Sequence, residues 1–346
     1  MKALRVLAGP RARAVLRERG LRAADVRLVP AAAGGPKGLA LLPLDRFLFG
    51  HWLHGAARPV HLVGASIGAW RMAAACMVDA DAALAQLGEL YITQRYDTAP
   101  GKRPTPTQVS QGFGALLAQS LAPAQVLASA RYRLHVITSR SAWRSPWALA
   151  GAAASNVVAR RAMGAWLTRV VFGDARDALP LALRDYRTRQ VALSAANLQQ
   201  AVLASCSIPT WMLGVTTPPG APRGTYWDGG IVDYHLHLPY AQLDDGLVLY
   251  PHTQARVIPG WLDQRLPHRH RATPALANLV LLAPRDEWVA SLPGGKLPDR
   301  QDFVTHLHEP AVRIARWRAA VAECQRLADE FAALTQAPCV EAEPLP

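Results

Sequence analysis

Two glycine-rich turns constrain the fold of this 346-residue chain more than any other feature of the sequence. The first turn, GGPKG at 34–38, follows the apolar run 26–32, and the second, GASIG at 64–68, follows the run 60–63. An apolar run that stops at glycine is typical of a buried strand. Strand, turn, helix and strand in so few residues predict a βαβ crossover. The two strands should therefore be parallel, and both turns should lie at one edge of the sheet.

The second turn has the pattern Gly-x-Ser-x-Gly. Because Gly64 and Gly68 carry no side chain, the backbone can bend sharply and lift Ser66 clear of its own strand and helix. The Ser66 hydroxyl then stands at a helix N-terminus, where unpaired N–H groups favour negative charge. In the first turn, Gly34 and Gly35 leave unshielded N–H groups that can point at an oxygen bound near Ser66. The sequence thus predicts a nucleophile on one turn and an oxyanion hole on the other.

The composition fits a folded α/β protein, because 51% of the residues are hydrophobic, which is ample for a core. The net charge of +13 is carried almost wholly by Arg, since Lys occurs only at positions 2, 37, 102 and 296. This charge favours peripheral contact with anionic surfaces, including lipid head groups. No nucleic-acid partner is expected, because no binding motif accompanies the charge and GGPKG lacks the GK[ST] ending of a phosphate-binding loop.

The cysteines and the apolar stretches predict the environment of the protein. The four cysteines are far apart, lack the spacing of a metal site, and sit mostly in apolar helical patterns: Cys76, Cys206, Cys324 and Cys339. They predict reduced thiols in a cytoplasmic protein. The N-terminus interrupts its apolar residues with Arg and Pro too early for a secretion signal. No stretch approaches the roughly 18 apolar residues of a membrane span, so any membrane contact is expected to be peripheral.

Local patterns divide the chain into three parts. Residues 1–25 are predicted to form an N-terminal helical lead-in, residues 26–290 a catalytic domain, and residues 291–346 a C-terminal helical extension packed on the same domain. Within the catalytic domain, a Pro- and Gly-rich loop at 96–107 leads into a helical pattern at 108–128. We expect this piece to cover the opening of the site.

A third motif follows later in the chain. Residues 191–211, which contain ASCSIP, read as a buried helix that is halted before Pro209. After a Pro- and Gly-rich loop come a short strand at 225–227 and the turn DGG at 228–230. Taken alone, Asp228 is only a turn former before two glycines.

The order and spacing of GGPKG, GASIG, ASCSIP and DGG resemble the patatin-like phospholipase family over roughly residues 26–240. The resemblance implies a three-layer α/β/α fold with a mostly parallel central sheet, to which the C-terminal helical extension is added. It also implies a catalytic dyad, with Ser66 as the nucleophile and Asp228 as the base. The implied activity is hydrolysis of carboxyl esters in phospholipids or lysolipids, without a metal or an organic cofactor.

The resemblance assigns the oxyanion hole to the GGPKG segment. Pro36 has no N–H group, so donors from this turn are limited, with the amide after the nucleophile as a helper. The predicted oxyanion hole comprises Gly34, Gly35, Lys37, Gly38 and Ile67. Two positions depart from the family pattern, because Ala33 stands where a third glycine is common and Asp233 stands where Asn is common. The change at Asp233 bears on substrate preference more than on the chemistry.

Alternatives to this interpretation stay open. Three HxH pairs, at 235 and 237, 268 and 270, and 306 and 308, resemble metal ligands, but no carboxylate or Cys set completes a site, so no metal is expected. His235 or His237 could instead serve as a third catalytic member. An α/β-hydrolase with a Ser-Asp-His triad would need several strands before the elbow. A catalytically silent lipid- or membrane-binding module on the same scaffold would fit the departures at Ala33 and Pro36.

Overall fold

The computed structural model describes residues 1–96, 98, 102–141 and 147–346, and in this part of the chain the strands form one sheet of eleven. The strands are β1 (Leu4–Ala8), β2 (Val26–Ala31), β3 (Val60–Ala65), β4 (Tyr132–Ser141), β5 (Leu167–Gly173), β6 (Thr188–Ala192), β7 (Val215–Thr216), β8 (Thr225–Trp227), β9 (Leu247–Pro251), β10 (Leu279–Pro284) and β11 (Glu343–Pro344). The α-helices are α1 (Pro10–Arg19), α2 (Leu42–Gly50), α3 (Ile67–Ala75), α4 (Ala80–Thr93), α5 (Pro106–Ser120), α6 (Pro123–Ala128), α7 (Trp147–Val158), α8 (Leu198–Cys206), α9 (Asp286–Ala290), α10 (Gln301–Thr305), α11 (Pro310–Glu323) and α12 (Gln325–Leu334).

The sheet runs in the order β11-β1-β10-β9-β2-β3-β4-β5-β6, and its centre, from β10 to β4, is parallel throughout. Strands β2 and β3 are joined through α2 and pair in parallel, so the predicted βαβ crossover is confirmed. Antiparallel pairs occur where β1 meets β10 and where β4 meets β5 and β8. The expected mixed α/β fold, with a mostly parallel sheet flanked by helices, is thus present.

Alternation along the central strands produces a core on each face of the sheet. In β3, Val60 and Leu62 face one core, while Val63 and Ala65 face the other. The first core is covered by long helices, including α2, α3, α4 and α8. The second core is covered by loops and by short 3-10 helices at 240–242 and 274–276. Both faces are therefore apolar, as expected for parallel strands.

The helical layer is tied together beneath the first glycine turn by a buried ion pair. The Arg71 guanidinium in α3 donates to both carboxylate oxygens of Asp45 in α2, at 2.6 and 2.8 Å. Neither side chain is more than 1% exposed. Removing one partner of such a pair costs about 3–5 kcal/mol, because the other charge is left buried and uncompensated. This pair fixes α3, and with it the second glycine turn, against α2.

Three segments differ from the sequence analysis. The lead-in predicted for 1–25 contains α1 but also the strand β1, whose formation depends on distant pairing with β10. The helix predicted for 191–211 spans only Leu198–Cys206, because the start of that segment belongs to the edge strand β6 and the Ser194 N–H group donates to the Asn197 side chain in a turn. The helical pattern in the C-terminal extension predicts one long helix at about 310–334, but the helix is interrupted at Cys324 and forms α11 and α12.

The basic loop at 252–275, which has no evident role in the sequence, is held by a buried carboxylate. Asp263 is fully buried and accepts hydrogen bonds from the Asn156 amide and from Arg269, each at 2.8 Å. Arg160 bridges Asp263 and Asp233, with nitrogen-to-oxygen distances of 3.4 and 3.0 Å. The loop is therefore an integral part of the domain.

No helix in the described ranges has the length and apolar character needed to cross a membrane.

Candidate active site

Ser66 lies at the sharp turn between β3 and α3. Its backbone has φ 56° and ψ −131°, a conformation that residues with a side chain rarely adopt and that is often found at functional sites. The turn is possible because its neighbours are small: a Cβ on Gly68 would lie 2.0 Å from the carbonyl oxygen of Ala31. The Ser66 side chain therefore leaves the turn at the carboxyl edge of the parallel strands.

Asp228 reaches the same place because β8 continues the line of β3 along one side of β4. Strand β3 pairs with β4 up to Ala65, which is opposite Ile137. Strand β8 runs towards β3 and ends at Trp227, which is opposite Ser139. Ser66 follows the end of β3, and Asp228 follows the end of β8. The two residues therefore meet across the gap between the two strands, although 162 positions separate them in sequence.

The Ser66 hydroxyl donates a hydrogen bond of 2.6 Å to Oδ2 of Asp228. The other carboxylate oxygen accepts from the Gly230 N–H group at 2.7 Å, and the Asp228 N–H group donates to the carbonyl of Ser207. Ser66 is 3% exposed and Asp228 is 5% exposed. Burial raises the pKa of the Asp228 carboxyl above its ordinary value, while the hydrogen bond from Ser66, the charge of Arg300 and the Gly230 N–H group favour the ionised form.

A second serine braces the elbow. Ser205, in the ASCSIP segment of α8, accepts a hydrogen bond from the Ser66 N–H group at 2.9 Å and donates one to the Ile137 carbonyl at 2.6 Å. The Ser205 side chain is fully buried. It therefore connects α8, β4 and the elbow at the point where the nucleophile leaves the backbone. The motif was visible in the sequence, but this contact was not.

The GGPKG turn begins a 3-10 helix, Gly35–Leu41, beside the elbow. Gly35 lines the same cavity as Ser66 and Ile67, and its φ of 56° favours glycine. Gly38 packs against Ile67, where a Cβ would lie 2.9 Å from Cγ1. The two glycine turns are thus in direct contact. Gly34 and Lys37 belong to the same turn, but they are not among the residues that line the cavity.

The charge of Lys37 acts on two buried histidines. Its charge contributes, after the larger effect of burial, to lowering the pKa of His235 and of His252. Nδ1 of His235 accepts a hydrogen bond from the Ile258 N–H group at 3.0 Å, and its ring stacks on Tyr234. Neither histidine lines the cavity in front of Ser66. Among the described residues, no group of three or more His, Cys, Asp or Glu side chains could hold a metal ion.

A cavity of about 290 Å³ opens in front of Ser66. Besides Ser66, its polar members are Gln94, Tyr96, Arg103, Thr210 and Arg300. The rest of its wall is mainly apolar and comes from distant parts of the chain: Ile67, Tyr91, Val109, Phe113, Ile208, Trp211, Met212, Phe303, Val304 and Leu307. A mostly apolar pocket with a few convergent polar groups suits a ligand with a hydrocarbon tail.

Two long segments close the sides of this cavity. The piece that the sequence analysis placed over the opening contributes Tyr96, Arg103 and Pro104, together with residues of α5, while residues 97 and 99–101 of its loop lie outside the described ones. The second segment has no counterpart in the predictions from sequence. It contributes Arg300, two side chains of α10 and Leu307 to the cavity. The stretch PDRQ around Arg300 contains no recognisable motif, so its place in the cavity could not be predicted.

One comparison with known proteins gives a match over more than half of the chain. Residues 34–236 match the family model described as patatin-like phospholipase. The matched region contains both glycine turns and the DGG turn, whereas Arg300 and α10 lie beyond it. A search of curated proteins finds no match to this chain.

Proposed function

Because the chain belongs to the patatin-like phospholipase family, whose members hydrolyse lipid esters, we propose that it cleaves carboxyl esters of phospholipids or lysolipids through a dyad of Ser66 and Asp228. The observation that carries the proposal is the 2.6 Å hydrogen bond between the Ser66 hydroxyl and Oδ2 of Asp228. A hydroxyl is a poor nucleophile until a base accepts its proton, and this distance is within the reach that proton transfer requires.

In the proposed reaction, Asp228 accepts the Ser66 proton while Oγ attacks the ester carbonyl. Collapse of the tetrahedral intermediate expels the alcohol, which takes the proton from Asp228, and leaves an acyl group on Ser66. Water then attacks the acyl ester and gives its proton to Asp228. The fatty acid leaves as the proton returns to Ser66. The hydrogen bond from Gly230 holds the carboxylate in one orientation through both steps.

The developing oxyanion would be stabilised by backbone N–H groups of the GGPKG turn and by Ile67. Gly35 and Ile67 support this assignment best, because both line the cavity beside Ser66. Loss of one oxyanion donor typically lowers kcat about 10²- to 10³-fold. Gly34, Lys37 and Gly38 complete the proposed turn, with Gly38 packing on Ile67 so that the two turns stay in register.

We also propose that the substrate is taken from an anionic lipid surface. Trp211 lines the cavity and is 38% exposed, and Leu213 beside it is 50% exposed. Arg103, also exposed, lies on the same cavity. An exposed indole, an aliphatic side chain and a cation together suit the boundary between lipid head groups and acyl chains.

A fluorophosphonate probe tests the proposed nucleophile, followed by assays on phospholipid, lysophospholipid and short-chain aryl esters. We expect labelling at Ser66, its absence in Ser66→Ala, and a loss of about 10²- to 10⁴-fold in labelling rate and kcat for Asp228→Asn, because general-base catalysis contributes about that factor. Asp244→Asn, a change at an exposed aspartate, is the matched control.

Other outcomes would contradict the dyad in distinct ways. Equal turnover by wild type and Asp228→Asn would remove Asp228 from the mechanism. Loss of turnover on changing a late histidine would favour a Ser-Asp-His triad. Absence of labelling with retained binding to lipid vesicles would identify a silent lipid-binding module.

A further inference from the structure

Arg300 brings a positive charge to the cavity from outside the region that the family model matches. It precedes α10, and its side chain lines the cavity that contains Ser66. The guanidinium passes over the first glycine turn: a Cβ on Gly35 would lie 3.0 Å from Nε of Arg300. Any residue with a side chain at position 35 would therefore displace the arginine. The cation is therefore held next to the proposed oxyanion hole.

Within the described residues, no hydrogen bond or ion pair engages the Arg300 guanidinium. The nearest carboxylates in sequence are already paired, because Lys296 contacts Asp299 and Asp302 at 2.8 Å each. The Trp317 indole also donates to Asp302. Arg300 is half-buried and acts on the pKa of Tyr91 and Tyr234 only through its charge. Its donors are free for a ligand.

The surroundings make an anion the natural ligand for this cation. The wall of the cavity near Arg300 is aromatic and aliphatic, with Phe303 and Leu307 from the same segment. In such surroundings a guanidinium is poorly hydrated. Its strongest interaction is therefore with an anion that accepts hydrogen bonds from two of its N–H groups, as a phosphate does. The apolar wall suits the acyl chain of the same molecule.

On the basis of the proposed function, we propose that Arg300 is the specificity-determining residue for a phosphate group on the alcohol side of the scissile ester. The Arg300 guanidinium binds that phosphate while the acyl chain lies along the apolar wall and the ester carbonyl faces Gly35. The preferred substrate class is then an acyl ester that bears a phosphate a few bonds from the carbonyl, in preference to a neutral acylglycerol of the same chain length.

Binding of non-hydrolysable ligands tests this without relying on turnover. An ether-linked lysolipid with a terminal phosphate and an ether-linked glycerol with the same alkyl chain are titrated into the full chain, as monomers below their micelle concentrations. We expect the phosphate-bearing ligand to bind more tightly to wild type. In Arg300→Gln, the ratio of the two affinities should fall about 10- to 100-fold, as expected for loss of hydrogen bonds to a charged group.

Two further variants sharpen the test. Arg300→Lys keeps the charge without the paired donors, and its ratio should lie between those of wild type and Arg300→Gln. Arg189→Gln removes the same charge from an exposed position on β6 and should keep the wild-type ratio. Equal affinity of wild type for the two ligands, or an unchanged ratio in a folded Arg300→Gln, would overturn the inference. If Arg300→Gln does not fold, the wild-type and Arg300→Lys ratios decide.

The proposed function can fail separately. An enzyme that shows the phosphate preference but no labelling at Ser66 would retain this anion site and lose the dyad. An enzyme that is labelled at Ser66 and hydrolyses phosphate-bearing and neutral esters with the same kcat/KM, before and after Arg300→Gln, would retain the dyad and lose the anion site.

Discussion

At the scale of single residues, the surroundings of Asp228 both oppose and favour the ionised form of its carboxyl. Burial raises the pKa of its carboxyl, and the groups that favour its ionised form are Ser66, Arg300 and Gly230. Two other ionisable groups near it, Cys206 and Tyr234, have raised pKa values, so both are neutral near pH 7. The carboxyl proposed to act as the base thus lies where burial favours its protonated form, which brings its pKa closer to neutral pH.

This balance predicts how activity and stability depend on pH. Because Asp228 must be ionised to act as the base, kcat/KM should fall as pH decreases through its raised pKa, so the acid limb should lie above the ordinary carboxyl value of 3.8.

A pKa raised by folding favours the folded state at pH below the unfolded pKa, and this contribution is lost as pH rises through the folded pKa. Asp228→Asn should therefore raise the Tm at pH 7.

The measurements are a pH profile of kcat/KM on a soluble ester and thermal unfolding of wild type and Asp228→Asn at pH 7 and at pH 4. The gain in Tm should shrink at pH 4, where more of the wild-type carboxyl is protonated. Asp244→Asn, at an exposed position, should show no such difference between the two pH values. An acid limb at or below the ordinary carboxyl pKa would contradict the prediction.

The residues that could be predicted from the sequence are those whose position is set by a local motif. Ser66 and Asp228 each follow directly on a strand. Ser66 lies between two nearby glycines and Asp228 precedes two glycines, so their surroundings are encoded within a few positions. Arg300 has no such motif, and its place in the cavity depends on how α10 packs against distant helices. Lys37 shows the opposite case. It belongs to a motif, but it does not line the cavity, and its charge helps to lower the pKa of His235 and of His252.

At the scale of elements, strand β4 sets the distance between the turn that carries Ser66 and the turn that carries Asp228. Its residues Ile137 and Ser139 pair with the ends of β3 and β8, and the Ile137 carbonyl also accepts the hydrogen bond from Ser205. The short strand β8 was predicted at 225–227 and is found there, because its aromatic residues lie between clear turn signals. Its alignment with β3 could not be predicted, because pairing register depends on residues far apart in the chain.

The brace on the elbow predicts a contrast between two serines of the same motif. Ser205→Ala leaves the Ser66 N–H group and the Ile137 carbonyl unsatisfied, which should cost about 1–3 kcal/mol of unfolding free energy. The elbow should also shift, and kcat should fall by about 10- to 100-fold. Ser207→Ala is the control, because the one hydrogen bond that the Ser207 hydroxyl donates among the described residues goes to the Leu203 carbonyl, at 2.9 Å.

Urea unfolding and steady-state kinetics on a soluble ester measure both effects. Ser207→Ala should lose about 0.5–1.5 kcal/mol, as is usual for one intramolecular hydrogen bond, with little change in kcat. If both variants keep the wild-type kcat, Ser205 stabilises the fold without positioning the nucleophile.

At the scale of the whole molecule, the cavity is assembled from segments that the sequence analysis assigned to different parts. The division into a lead-in, a catalytic domain and an extension stays a prediction, but β1 and β11 extend the central sheet and α12 packs on α2. Phe331 in α12 is fully buried in the main core. Local patterns identified most elements, whereas these contacts depend on the tertiary fold and could not be predicted.

The exposed rim of the cavity predicts how the protein meets a lipid surface. The double variant with Trp211→Ser and Leu213→Ser should lower turnover on anionic vesicles about tenfold more than turnover on a soluble short-chain ester, because it removes apolar area that would enter the lipid interface. Val78→Ser is the control, since Val78 is 86% exposed and does not line this cavity. Vesicle co-sedimentation and the two activities measure the effect; equal losses on both substrates would indicate a role in the cavity alone.

The participation of residues 300–307 in the cavity wall has a consequence for biosynthesis. A polypeptide leaves the ribosome from its N-terminus, so the elbow and the DGG turn emerge before Arg300, Phe303 and Leu307 do. During that interval the cavity in front of Ser66 lacks one side, and its apolar wall is open to water. We therefore expect the proposed lipid site to form only after residues 300–307 have been made.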